Sequence, residues 1–170
     1  MHVLSRTLNR TMKTTSLEEQ VVALLIEKGL SITTVESCTA GLIGATLVNV
    51  PGVSKVFSEG YITYSNSAKI KLVNVKKETL EQYGAVSREV ALEMVEGAAR
   101  KSKADVAISA TGIAGPDGGT PDKPVGLLYI GLSIHGKVSV YELHLQGSRE
   151  ENRWKTVEEG FKLLIKELTY

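Results

Sequence analysis

Apolar and polar positions along the chain repeat with two different periods, and the switches between them mark out its elements. Leu17, Val21, Leu24 and Leu25 recur at helical spacing behind a Ser16-x-x-Glu19 capping box, and the run closes at Lys28-Gly29. "SITTVE" (31–36) is short and β-branched, which reads as a strand. "CTAGLIGATLVNV" (38–50) is small or apolar all round and ends at Pro51-Gly52, so a buried helix is expected, with Ser37 where strand hands over to helix. "KVFSEGYITYS" (55–65) has strand composition interrupted by Gly60. "NSAKIKLVNV" (66–75) predicts a short helix capped by Ser65 or Asn66, and "KKETLEQYG" (76–84) another closed by glycine. Between Ser87 and Lys101, Val90, Ala91, Met94, Val95 and Ala98 trace one face of a longer helix.

"DVAISA" (105–110) reads as a buried strand. Residues 111–126 hold five glycines and three of the chain's four prolines, which demands a loop. "VGLLYIGLSI" (125–134) and "VSVYELHL" (138–145) form a hairpin across "HGK". Ser148-x-x-Glu151 then opens a last helix whose face is Trp154, Val157, Phe161, Leu164, Ile165 and Leu168. Strands separated by helices predict an α/β fold with a sheet covered on both faces, and the late hairpin makes that sheet mixed. Sites in such folds gather at the carboxyl ends of strands, which singles out Ser37, the 64–69 turn and the 111–126 loop.

Composition narrows the function classes. A length of 170 residues suits one domain, here 17–170 behind an amino-terminal extension of 1–16. The extension has Arg6, Arg10 and Lys13 but no acidic residue, a composition shared by organelle transit peptides; a plain extension on a cytoplasmic protein is the preferred reading. A net charge of +1 with interspersed signs gives no reason to expect nucleic acid, and no apolar run is long enough for a membrane span. One cysteine and three histidines leave no internal disulfide and no four-cysteine zinc site.

"GLSIHGKV" (131–138) matches a phosphate-binding loop except that Val138 replaces the final Ser or Thr, and because it joins two strands it reads as a hairpin turn. Ser37 reads either as a helix cap or as a nucleophile whose oxyanion is met by helix N–H groups. A serine nucleophile needs a base, and none of His2, His135 or His144 sits at a predicted strand end near Ser37. Lys69 does sit near one, in the first turn of a helix where burial and the macrodipole lower an amine's pKa, with Tyr64 placed to carry a proton or orient it; the other reading is a solvated lysine. Cys38 reads as packing rather than as a competing nucleophile. The glycine-rich loop is either a mobile turn or a wall of backbone N–H groups. Arg149 and Arg153, at the start of the last helix, read either as surface charge balance with Glu150 and Glu151 or as a phosphate site.

"TVESCTAG", "YITYSNSAK", "GAVS", "SATGIAGPDGG", "KPVG" and "GSREENR" fall in the order and spacing of one family. Over roughly residues 17 to 168 the chain resembles the carboxyl-terminal domain of competence/damage-inducible CinA proteins, the nicotinamide-nucleotide amidohydrolases. The resemblance implies a three-layer α/β/α sandwich with a mixed, mostly parallel sheet. It implies hydrolysis of the carboxamide of nicotinamide mononucleotide to nicotinate mononucleotide and ammonia, with no metal or cofactor, by a homodimer or higher homo-oligomer. Ser37 is then the nucleophile, Lys69 the base and Tyr64 the assisting hydroxyl. Thr39, Gly41, Thr111 and Gly112 contribute to substrate binding, and Arg149 takes the phosphate.

Two departures accompany the resemblance. Ala40-Gly41 stands where the family usually has two glycines, so a methyl is expected to shrink the pocket, and "GSR" stands where "GDR" is common. Some family members also carry an amino-terminal nucleotide pyrophosphatase domain, which is not expected within these 170 residues. A catalytically silent nucleotide-binding module, or an amidase for another small carboxamide, is the alternative use of the same pocket.

Overall fold

A computed structural model of the protein describes residues 14–170, so all but the end of the expected 1–16 extension lies outside the described residues. Five strands form one sheet in the order β2-β1-β3-β4-β5. The strands are β1 (Ile32–Glu36), β2 (Phe57–Ile62), β3 (Val106–Gly112), β4 (Leu127–Ile134) and β5 (Lys137–His144). β2, β1 and β3 run parallel, and β4 and β5 add the antiparallel hairpin. Helices α1 (Leu17–Lys28), α2 (Leu42–Leu47) and α6 (Arg149–Thr169) cover one face, and α3 (Asn66–Val73), α4 (Lys77–Tyr83) and α5 (Arg88–Ser102) the other. This is the expected three-layer α/β/α sandwich.

Alternation along β1 shows how the layers are filled. Ile32 joins Val106, Ile108, Ile130, Phe161 and Leu164 in the core beneath α1 and α6, whereas Val35 joins Val73, Val90 and Met94 beneath α5. Glu36, at the end of the same strand, is almost fully buried and sends its carboxylate to α2, where it accepts from the amides of Ile43 (2.8 Å) and Gly44 (3.1 Å).

The helix expected over 38–50 is shorter than the composition suggested. Residues 37–41 form a turn, and α2 starts only at Leu42 with Gly41 as its cap. Ala40 (φ +48°) and Gly41 (φ +95°) are both left-handed, which a helix does not tolerate. The 111–126 loop also begins later, because Thr111 and Gly112 still pair with Tyr129 and Leu128 as the end of β3. The "HGK" turn is the predicted hairpin, with left-handed His135 and Gly136.

α3 meets α5 backbone to backbone. A Cβ at Gly97 would stand 1.8 Å from the carbonyl oxygen of Val73, the last residue of α3, so only glycine allows the two helices to lie at this separation.

Candidate active site

The carboxyl ends of the three parallel strands deliver the site. Ser37 continues β1, its amide donating to Ala110 O at 2.9 Å, and Thr63 follows β2 with its amide on Glu36 O at 2.9 Å. β3 ends beside them at Thr111 and Gly112. A cavity of about 310 Å³ opens here, lined among others by Ser37, Tyr64, Lys69, Thr111, Gly112 and Arg149.

Lys69 is 1% exposed, although it is a lysine on a short helix. Ser65 caps α3 by accepting from the Ala68 amide, which turns the helix so that Lys69 points under the strand ends. Its Nζ lies 3.0 Å from Ser37 Oγ, 2.7 Å from Thr63 O and 3.4 Å from Tyr64 O. Among the described residues no carboxylate forms an ion pair with it, and burial pulls its pKa from 10.5 down to about 8, with the neighbouring Cys38 pulling the other way. A neutral amine has two N–H groups and one lone pair. Two carbonyls take the former, which aims the latter at the Ser37 hydroxyl. The solvated-lysine reading is thereby excluded.

Cys38 is buried, and burial first, then the nearby Glu36 carboxylate, push its thiol up to about 12 despite the opposing backbone amides. At neutral pH it is a thiol, and the thiolate is the nucleophilic form. Of the two adjacent side chains, only Ser37 has a base at hydrogen-bond distance.

Tyr64 does not bridge serine and lysine. Its side chain is 60% exposed at the cavity mouth, and its hydroxyl accepts from Arg149 Nη2 at 3.2 Å, while only its main-chain carbonyl faces Lys69. Arg149 also donates to Gly115 O at 2.9 Å, so the guanidinium is held at the rim between Tyr64 and the glycine-rich wall. Thr111 uses its hydroxyl structurally, donating to Ala85 O at 2.8 Å. At Gly112 a Cβ would meet Leu128 Cγ at 2.5 Å, so that glycine serves close packing on β4 and offers the cavity only its backbone.

Thr39 and Gly41 do not line this cavity: Thr39 is fully buried, and Gly41 borders a separate groove between α2 and β2. Ala40 is exposed and likewise outside the cavity, so its methyl does not narrow the pocket. Its cost is conformational, that of an L-residue in the left-handed region. Ala40→Gly is therefore expected to leave activity unchanged and to alter stability by less than about 1 kcal/mol in urea titrations.

The expected oxyanion donors also need correction. The amides at the start of α2 are occupied by Glu36, and that helix begins four residues beyond Cys38. Across the cavity, Asn152 Nδ2 on α6 draws Ala114 O at 2.9 Å, which turns the N–H of that same trans peptide, on Gly115, to the opposite side. Among the described residues the Gly115 amide has no acceptor. Glu36 and Asn152 were missed in the sequence. The one available signal for Glu36 was a carboxylate closing an otherwise uncharged strand. Among the described residues there is no cluster of three or more metal-ligating side chains.

Comparisons with known proteins agree on one family. The model of the CinA C-terminal domain matches residues 14–168. A CinA-like protein of Dictyoglomus turgidum is 58% identical over 150 residues, covering 88% of this chain and 36% of the relative. A competence-damage inducible protein of Clostridium botulinum is 56% identical over 154 residues, covering 91% and 38%. The chain thus spans well under half the length of these relatives. Among solved structures, the competence/damage inducible protein CihA of Agrobacterium tumefaciens superposes with a TM-score of 0.87 at 40% identity, covering 91% of this chain and 94% of that one. The competence damage-inducible protein A of Klebsiella pneumoniae gives 0.88 at 31%, covering 91% and 96%.

Proposed function

Because the chain belongs to the CinA C-terminal domain family, we propose that it hydrolyses the carboxamide of nicotinamide mononucleotide, releasing nicotinate mononucleotide and ammonia. The observation that carries this reading is the buried Lys69 amine 3.0 Å from the Ser37 hydroxyl on the wall of an open cavity. A serine hydroxyl is a weak nucleophile unless a base takes its proton, and an amine that is half neutral near pH 8 meets that need.

In this mechanism Ser37 Oγ bonds to the carboxamide carbon as its proton passes to Lys69 Nζ. Lys69 returns the proton to the amide nitrogen, the C–N bond breaks, and ammonia leaves an ester on Ser37. Water then adds to the ester carbon while giving its proton to Lys69, and collapse of that adduct returns the proton to Ser37 and frees the carboxylic acid, which ionises. The negative oxygen that forms twice is stabilised by main-chain N–H groups of the cavity wall, Gly115 among them.

Arg149 gives the substrate its other end. A guanidinium fixed at an exposed rim by Tyr64 Oη and Gly115 O keeps free N–H groups for a phosphate. Arg149→Ala is expected to raise KM for the mononucleotide about 10–100-fold with kcat little changed, as befits loss of a charged hydrogen bond. Steady-state ammonia release from the mononucleotide and from the phosphate-free riboside checks this. A loss of the same size on both substrates removes Arg149 from the phosphate.

A further inference from the structure

The first turns of α6 reach both sides of the cavity. Arg149 and Asn152 hold the glycine-rich wall, whereas Arg153 crosses to the turn that carries Ser37. Its Nε donates to Cys38 O at 3.0 Å and its Nη2 to Thr39 O at 2.9 Å. The position of Arg153 one turn beyond Arg149 suggests a shared phosphate site, but both of its bonds go to backbone carbonyls and it does not line the cavity.

We infer that Arg153 is a positioning residue for Ser37, its guanidinium fork fixing the Cys38–Thr39 and Thr39–Ala40 peptide units of the nucleophile's turn with their carbonyls turned toward α6. This rests on the proposed hydrolase reading. The turn needs such a hold. Its left-handed Ala40 is a sparsely populated conformation for a residue with a side chain, and it persists only where surrounding contacts over-determine it. Within the turn the backbone supplies only the bonds from Ala40 N to Ser37 O and from Leu42 N to Thr39 O. If either peptide rotated, the backbone that carries Ser37 would turn with it and take Oγ away from Lys69 Nζ, which lies 3.0 Å from it. A planar two-donor fork matches two successive carbonyls, and a lysine ammonium reproduces only part of that geometry.

The test uses Arg153→Ala and Arg153→Lys, with two readouts. The first is the split between kcat and KM for ammonia release. The second is the rate at which iodoacetamide alkylates Cys38, the chain's one cysteine, which is buried in this turn. Arg153→Ala is expected to lower kcat about 100-fold with KM within a factor of about 3, and Arg153→Lys to recover part of the loss. Cys38 is expected to alkylate about 10-fold faster in the alanine variant, since local opening exposes it. A raised KM with kcat retained makes Arg153 a substrate ligand and overturns the inference, as does an unchanged kcat with Cys38 still protected. Should the alanine variant fail to fold, Arg153→Lys decides by the same two measurements. Should the unaltered protein release no ammonia, the hydrolase reading fails, while Cys38 alkylation still reports whether Arg153 holds the turn.

Discussion

Ser37→Ala is expected to lower ammonia release from nicotinamide mononucleotide about 10⁴-fold or more while the protein stays folded. The size follows from the route, because without Oγ no ester forms, and what remains is orientation and oxyanion stabilisation acting on water alone. The small structural effect follows from what the side chain touches. Ser37 is held by its backbone amide on Ala110 O, which alanine keeps, and Lys69 Nζ retains Thr63 O at 2.7 Å. The loss is one side-chain hydrogen bond, about 1 kcal/mol, or a few degrees in melting temperature for a chain of this size. Ammonia release and a melting curve on the same preparation separate the two effects. Turnover retained above about 1% would mean that Ser37 is not the nucleophile.

Lys69 is expected to pull activity and stability in opposite directions. As the base it acts neutral, so kcat/KM rises tenfold per pH unit below about 8 and levels off above it. Stability follows pH with the same sign, but over a higher window. Between about pH 8 and 10.5 the unfolded chain holds a proton on Lys69 that the folded chain has released, so stability rises with pH across that window. Below it both states are protonated, and the fold carries the full cost of an unpaired buried ammonium, about 3 kcal/mol. Lys69→Met removes that cost and leaves Thr63 O short of a donor, which returns about 1 kcal/mol. The variant is expected to be inactive and, at pH 7, to melt about 5 °C above the unaltered protein, the gap closing as pH approaches 10.5. A melting temperature at or below that of the unaltered protein, or a pH profile with its midpoint near 10, contradicts a neutral buried base.

Much of the site was readable from local sequence because chain-local chemistry set it. Ser65 caps a helix and so fixes the direction of Lys69. Ser148 and Glu151 start α6 and so fix the position of Arg149. The misreadings share one physical cause, contacts that reach from one element to another. Composition made 38–50 a helix, yet Glu36 from the strand and Arg153 from more than a hundred residues later shape 37–41 into a turn instead. Gly112 belongs to loop composition, but its missing side chain answers to Leu128 across the sheet. Tyr64 was placed near Lys69 by proximity in the chain, whereas its hydroxyl is bound by Arg149 of α6, which periodicity does not reveal. Helix spacing likewise put Arg149 and Arg153 on one side and said nothing of what lay opposite.

The contact of Gly97 with Val73 O sets a mechanical tolerance on all of this. Two main chains in direct contact act as a hard stop, whose position does not depend on which rotamer an intervening side chain adopts. Lys69 lies one turn before that stop on the same helix, so the backbone from which its amine reaches Ser37 stands at a fixed height. The reach that this side chain must span to Ser37 is thus set in part by a residue that has no side chain and lies outside the cavity.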